Sequence, residues 1–344
     1  MKKKSRSSRR RRIRRIKRII ALLVMAGIIL VLFLVLKMHA SNVYDTSFAY
    51  DLEQMNGAEA MTPFSLQTED GFASELVASP SNVNTDQLAL QEDGERALLF
   101  NLKSNDAVYG RGIYDQIYPA SITKVMTALL AVKYGNMADV VVMQESDFAL
   151  EDGAQTSDLQ VGDQVTMDQL LHLMLVYSAN DAAMAIARQV GGDTGTFVSM
   201  MNEEALSLGM TATHFINPHG LHDDNHYTSV YDIYLMMWAA YEYPAFSEAS
   251  SMKSYEFTVT GADGQQRALY ETSTDEYLDG TYSLPSGITI MASKTGTTNE
   301  AGSCLALVVQ NGSGVPYIAV VTGASTKDIL YGDMGSLLGL ANGT

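Results

Sequence analysis

The chain has 344 residues, of which 47% are hydrophobic and 18% charged, with one cysteine and a formal net charge of −16. It is long enough for one large domain or two small ones and can bury a sizeable core. A lone cysteine, Cys304, excludes a fold held together by internal disulfides.

The charge is unevenly divided. Twelve of the 23 Lys and Arg residues fall in residues 1–18, which hold no acid, so the rest of the chain carries 11 basic against 39 acidic residues. The head "KKKSRSSRRRRIRRIKR" would suit nucleic acid, but the adjoining segment points to a membrane, and no nucleic-acid partner is expected. Ile19 to Leu36 is an uninterrupted run of 18 residues without a charge or a polar side chain. As a helix it would span about 27 Å, close to the hydrocarbon thickness of a bilayer. Basic flanks stay on the cytoplasmic side, which predicts that everything after Lys37 is exported. A cleaved signal peptide is the competing reading, but the run exceeds the usual apolar length and ends in Lys37 rather than a small-residue cleavage site. An uncleaved transmembrane helix is therefore expected. Residues 38–74 contain no Lys or Arg, carry scattered acids and show no sustained period, the composition of an extracytoplasmic stalk.

From residue 75 the periodic signals sharpen. "RALLFNL" and "AVYGRGIY", joined by "KSND", read as a β-hairpin. Pro119 precedes a helix expected from about Ser121 and closed by Gly135. Thr166 and Gln169 stand in capping-box spacing and start another helix at "TMDQLLHLMLV". "NDAAMAIARQVGG", "TGTFVSMMNEEALSLG" and "SVYDIYLMMWAAYEY" read as three more, ending at Gly191–Gly192, at Gly209 and before Pro244. Then strands return: "SYEFTVT", "ITIMASKTGT", "SCLALVVQ" and "VPYIAVVTGA", the last two joined by "NGSG" as a hairpin. Cys304 lies in one of these apolar runs and is expected to be a buried, inert thiol. "TKDILYGDMGSLLGLA" closes the chain as a helix. The order predicts an α+β fold, one mostly antiparallel sheet beside a helical cluster.

The chemistry is expected at "YPASITKVMTALLAV". Ser121 and Lys124 are three apart at a helix start, hence on one face, and a helix N-terminus favours developing negative charge. Ser-x-x-Lys alone is weak, and Ser250–Lys253 matches it too. That second copy runs into a strand pattern, which separates its side chains. Two further motifs lie downstream of the first: Ser178-Ala-Asn180 between two helices, and Lys294-Thr295-Gly296 at the end of a strand. Three motifs in this order and context form a strong signal.

With these motifs the chain resembles the serine penicillin-recognising enzymes, and within them the low-molecular-mass D-alanyl-D-alanine carboxypeptidases, over roughly residues 76–325. The likeness is close in "YPASITKVMTALLAV", "LLHLMLVYSANDAAMAIA", "FVSMMNEEALSLGMTATHFINPHGL" and "SKTGTTNEAG". It implies a β-lactamase/transpeptidase-like fold, a catalytic domain over 75–344, peptidoglycan stem peptides as substrates and β-lactams as inhibitors. It also implies roles: Ser121 as nucleophile, Lys124 as its base, Ser178 as a proton relay, and Asn180 holding substrate and Lys124. Lys294 and Thr295 would bind the terminal carboxylate, and Gly296 would let the substrate lie close to the strand. The backbone N–H groups of Ser121 and Thr297 would form the oxyanion hole. Lys124 must then lose its proton, although a free lysine has a pKa of about 10.4; lowering it by about 3 takes roughly 4 kcal/mol of environment, from burial and from Lys294 as a like charge.

His214, His219, His222 and His226 lie close together beside Asp223 and Asp224. Their spacing matches no helical ligand pair, and Pro218 and Gly220 make the segment a loop, so neither a metal nor a cofactor is expected. The stretch "THFINPHGLHDDNHYTS" holds no glutamate of the kind a class A β-lactamase uses to clear its acyl-enzyme. Only about 48 residues follow Gly296, so the β-rich C-terminal domain and amphipathic C-terminal anchor common in that family are not expected, and the N-terminal helix would serve as anchor. The alternatives are a β-lactamase or a DD-endopeptidase on the same fold, or a non-enzymatic penicillin-binding sensor.

Overall fold

The computed structural model describes residues 80–343, all within the compact unit Thr68–Thr344. The expected basic head, transmembrane run and stalk lie outside the described residues. Among the described residues no helix is long and apolar enough to cross a membrane.

Two strands open this part of the chain, β1 (Arg96–Asn101) and β2 (Asp106–Arg111), paired antiparallel as the hairpin pattern predicts. A 3₁₀ turn (Ala120–Thr123) leads into α1 (Lys124–Tyr134). Short strands β3 (Val140–Val142) and β4 (Gln164–Thr166) come next, then α2 (Met167–Val176), α3 (Asn180–Gly191), α4 (Thr194–Ser207), α5 (Val230–Tyr241) and α6 (Pro244–Ser250). The chain ends with β5 (Ser254–Thr260), β6 (Gln266–Thr272), β7 (Thr289–Thr298), β8 (Gly302–Gln310), β9 (Pro316–Ala324) and α7 (Lys327–Leu340).

The strands form two sheets rather than the single sheet expected. One has the order β2-β1-β9-β8-β7 and the other β3-β4-β5-β6, with every neighbouring pair antiparallel. In the five-stranded sheet the two-residue alternation of a strand sends side chains into two separate cores. Leu98, Phe100, Ala306, Val308, Ile318 and Val320 face the helical cluster. Leu99, Leu305, Leu307, Tyr317 and Val321 face the other way, against Leu330, Met334, Leu337 and Leu338 of α7. The sheet is thus covered on both faces, and its central strands read as continuous apolar runs.

Helix α1 is the hub of the helical layer. Every residue from Lys124 to Ala131 is buried, as expected of a helix apolar on all sides. It does not begin at Ser121. Ala120 stands at φ +47, which breaks the helical path, and Ser121 sits in the 3₁₀ turn next to it. Neither the turn nor α1 has a side-chain cap. In 3₁₀ geometry side chains three apart eclipse one another, which stacks Ser121 over Lys124. The turn packs on β7, the edge strand of the five-stranded sheet.

Candidate active site

Ser121, half-buried, opens on a cleft of about 350 Å³ that Ser178, Asn180, Thr295, Gly296 and Thr297 also line. Three elements meet there: the turn before α1, the α2–α3 junction and the edge strand β7. All the motif residues predicted from sequence border this cleft or lie directly beneath it.

Lys124 is wholly buried, and its Nζ lies 2.8 Å from Ser121 Oγ, 2.6 Å from Asn180 Oδ1 and 2.8 Å from the carbonyl oxygen of His219. Two of these partners can only accept. A neutral amine has two hydrogens and one lone pair, so donating to Asn180 and His219 leaves the lone pair for the Ser121 hydroxyl. The electrostatics favour that form. Burial is the main cause holding the Lys124 pKa well below that of an ordinary lysine, Lys294 adds to it as a like charge, and Asp181 opposes it.

Lys294, buried on β7, donates to Ser178 Oγ (2.9 Å) and to the carbonyl of Thr295 (2.9 Å). Burial pushes its pKa down to about 7 against the pull of Asp275. Ser178 stands at φ +65, an unfavourable conformation for a serine that turns its hydroxyl toward Lys294. Since that oxygen accepts from Lys294, the hydroxyl hydrogen remains available to a third group. Asn180 is the first residue of α3, not its cap, and its side chain is spent on Lys124.

Gly296 lines the cleft and also has a second role. A Cβ there would come 3.0 Å from both Pro119 O and Ser121 N, so the missing side chain lets the Ser121 turn approach β7. The other Ser-x-x-Lys pair does not assemble: Ser250 Oγ donates to the Phe246 carbonyl inside α6, and Lys253 is exposed beyond it. Cys304 is buried behind Gly296, its register partner, and burial raises its thiol to about 11.

The histidines of the loop are dispersed. His219 Nδ1 accepts from Leu221 N at 3.2 Å, and His226 bonds Thr123 and the backbone N–H of Ile216. His214 bonds the carbonyl of Asn225, and His222 packs edge-on against Tyr118. Among the described residues no three His, Cys, Asp or Glu side chains converge as a metal site would require. Sequence reasoning missed Thr274, whose Oγ1 lies 2.6 Å from Thr295 Oγ1, and Lys327, at the start of α7 on the cleft wall. Neither sits in a motif. Among the described residues no Asp or Glu lines the cleft.

A peptidase S11 family model, D-alanyl-D-alanine carboxypeptidase, matches residues 82–326. The chain is 30% identical over 258 residues to D-alanyl-D-alanine carboxypeptidase DacF of Bacillus subtilis, an overlap of 74% of this chain and 63% of that protein. It is 31% identical over 212 residues to a D-alanyl-D-alanine endopeptidase of Pseudomonas aeruginosa, covering 61% of this chain and 65% of that one. The chain thus spans under two thirds of the length of either relative. Among solved structures, the Streptomyces K15 DD-transpeptidase superposes with a TM-score of 0.67 at 25% identity, over 74% of this chain and 97% of that one.

Proposed function

The chain belongs to the D-alanyl-D-alanine carboxypeptidase family, and on that premise we propose that it is a serine DD-carboxypeptidase removing the terminal D-alanine from peptidoglycan stem peptides. The observation that carries the proposal is the three-way coordination of Lys124 Nζ, whose two obligate acceptors leave a lone pair for Ser121. Ser121 Oγ attacks the carbonyl carbon of the penultimate D-alanine while its proton passes to Lys124. The negative oxygen of the tetrahedral intermediate takes hydrogen bonds from the backbone N–H groups of Ser121 and Thr297. The C–N bond then breaks. The leaving amine takes a proton relayed through Ser178, and D-alanine departs. Water hydrolyses the remaining ester and regenerates Ser121.

The terminal carboxylate is held by Lys294 and Thr295, and among the described residues no carboxylate on the cleft wall opposes it. The substrate backbone lies along β7, whose outer edge has no strand partner among the described residues. A penicillin would acylate Ser121 in the same way. Its clearance would be slow, because the site lacks a carboxylate to activate water. Glu204 pairs with Lys133 through both oxygens at 2.8 Å. Removing a positioned general base costs about 10²–10⁴-fold.

One experiment tests the reading on the detergent-solubilised full chain. Mixed with penicillin and freed of excess, wild type and Ser250→Ala should carry an adduct that persists for minutes, and Ser121→Ala should carry none. A pentapeptide ending in D-Ala-D-Ala should release D-alanine with wild type alone of the Ser121 pair. An adduct on Ser121→Ala would sink the mechanism. Rapid penicillin turnover without peptide cleavage would make the chain a β-lactamase, and cleavage of crosslinked dimers alone an endopeptidase. We further propose that Ile19 to Leu36 anchors the protein in the cytoplasmic membrane with the cleft outside, supported by the basic head and the uncharged run.

A further inference from the structure

The peptide bond between Ala120 and Ser121 is held from behind by side chains that no catalytic motif contains. Ala120 is buried and at φ +47, a conformation that alanine adopts only when its surroundings impose it. Thr123 Oγ1 donates to the Ala120 carbonyl at 2.8 Å, and His226 Nε2 lies 2.8 Å from the same Oγ1. The backbone N–H of Ile216 donates to His226 Nδ1 at 3.1 Å. An N–H can only donate, so Nδ1 carries no proton and Nε2 must carry it. The polarity of the chain is thereby fixed: His226 Nε2–H to Thr123 Oγ1, and Thr123 Oγ1–H to the Ala120 oxygen. Thr123 is wholly buried and His226 nearly so, and no other orientation satisfies both. Gly220 closes the arrangement from the loop side. At φ +87, a Cβ on it would come 1.9 Å from the Ala120 oxygen.

The Ala120 C=O and the Ser121 N–H belong to one planar peptide unit and point opposite ways. Holding the oxygen therefore holds the N–H. Ser121 lies in the first turn before α1, where N–H groups have no partner within the helix. Donation into the carbonyl also polarises the peptide and strengthens its N–H as a donor. We propose that Thr123 and His226 are positioning residues for the oxyanion hole, a buried two-step relay that sets the plane of the Ala120–Ser121 peptide and aims the Ser121 N–H at the negative oxygen of the intermediate. The inference rests on Ser121 being the nucleophile. It concerns how the turn is held rather than which residue reacts.

Deleting one oxyanion donor outright costs about 10²–10³-fold in kcat. Releasing a donor that is still present should cost less, about ten- to a hundredfold. The test uses the full chain, a D-Ala-D-Ala peptide and an N-acylated 1-aminoethylboronic acid, whose tetrahedral adduct on Ser121 places a boronate oxygen where the oxyanion forms. Thr123→Val keeps the shape and removes the hydroxyl. It should lower kcat about ten- to a hundredfold with KM within about twofold of wild type, and weaken the boronate by the same factor as kcat. Thr123→Ser should stay near wild type. If Thr123→Val does not fold, the histidine pair carries the test: His226→Gln reaches the Nε2 position with an N–H and should retain activity, whereas His226→Asn cannot reach and should lose it. The proposal is overturned if the valine variant, or the Asn variant in its place, turns over at the wild-type rate. It is equally overturned if KM rises with boronate affinity unchanged, or if Thr123→Ser loses as much as Thr123→Val. Failure of the nucleophile assignment shows separately, as penicillin labelling that survives in Ser121→Ala.

Discussion

A lysine can act as a base only while its amine is neutral, and can hold a carboxylate firmly only while it is charged. On the proposed mechanism the cleft asks one of each from two buried lysines. Lys124 is held well below the ordinary lysine value by burial and then by Lys294. Lys294 is brought by burial to about 7, with Asp275 keeping it from falling further. This gives two limbs to kcat/KM, which reports the free enzyme. As pH falls through the Lys124 value the base is protonated and activity drops. As pH rises through about 7, Lys294 loses the charge that receives the substrate carboxylate and activity drops again. D-alanine release followed up to pH 10 should decline on the alkaline side, above about 7. Lys294→Arg should move the alkaline limb upward, because guanidinium keeps its proton throughout this range, even if its bulk lowers the plateau. A wild-type profile that climbs steadily to pH 10 would show that no charged Lys294 is needed. At this scale the sequence was informative where chemistry imposes a local spacing. Ser121 with Lys124, Ser178 with Asn180 and Lys294 with Thr295 are each short-range patterns. Thr274 and His226 were not visible as site residues, because each acts through a partner on another segment, and Thr123 was not because its partner is a backbone carbonyl, which no side-chain pattern reveals. His226 stood among loop histidines whose spacing argued against a metal site and assigned it no other role.

Helices announced themselves through their ends. The capping box of α2 forms as spaced, with Thr166 N donating to Gln169 Oε1 at 2.9 Å and Gln169 N to Thr166 Oγ1 at 3.1 Å. Gly192 and Gly209 take the positive φ values, 81 and 78, that end a helix. Gly135 closes α1 differently, in an extended conformation. The elements that escaped notice are too short or too exposed to show an alternation: β3 and β4 are three residues each, β3 being three valines with only the middle one buried, and β6 buries only Leu269 along its length. A second sheet built from such pieces leaves no clear alternation to read. The join between β1 and α7 was equally silent, since it depends on a buried carboxyl pair. Glu95, wholly buried just before β1, accepts from Glu92 N at 2.9 Å through Oε2, while its Oε1 finds no donor. Asp333 of α7 takes both Gln91 N (3.0 Å) and Gln91 Nε2 (3.1 Å). Protonated, Glu95 becomes the donor to Asp333, and burial first, then this bond, raises its pKa from 4.5 to about 8. The folded state therefore keeps a proton that the unfolded chain releases, and stability falls as pH rises through that window. Glu95→Gln supplies a permanent donor in the same shape. Its Tm should exceed wild type at pH 9 and approach it at pH 4.5, so the gap between the two curves should widen with pH. Parallel curves would mean that Glu95 carries no such proton.

The described residues form a sheet with a core on each face and the cleft at its exposed edge strand, which suits a substrate that is one extended peptide of a larger network. The substrate proposed above lies outside the cytoplasmic membrane, so the proposed anchor would decide what the cleft can reach. Residues 1–18 are strongly basic, Ile19 to Leu36 uncharged, and 38–74 free of Lys and Arg. Moving the basic head across a bilayer would mean desolvating many charges, whereas retaining it leaves the acidic body to be exported. The run is long enough to span and ends in Lys37 rather than at a small-residue cleavage site. Protease added to intact bacterial cells producing the full chain should therefore release a fragment that begins between residues 38 and 74. That fragment should still bind penicillin, because Ser121, Lys124, Ser178, Asn180, Lys294 and Thr295 all lie beyond residue 74. The retained piece should stay with the membrane and resist extraction by salt or alkali. Protein recovered from untreated cells with its N-terminus near Ala40 would identify the run as a removed signal peptide, and a chain cleaved only after the cells are opened would place the cleft on the wrong side of the membrane.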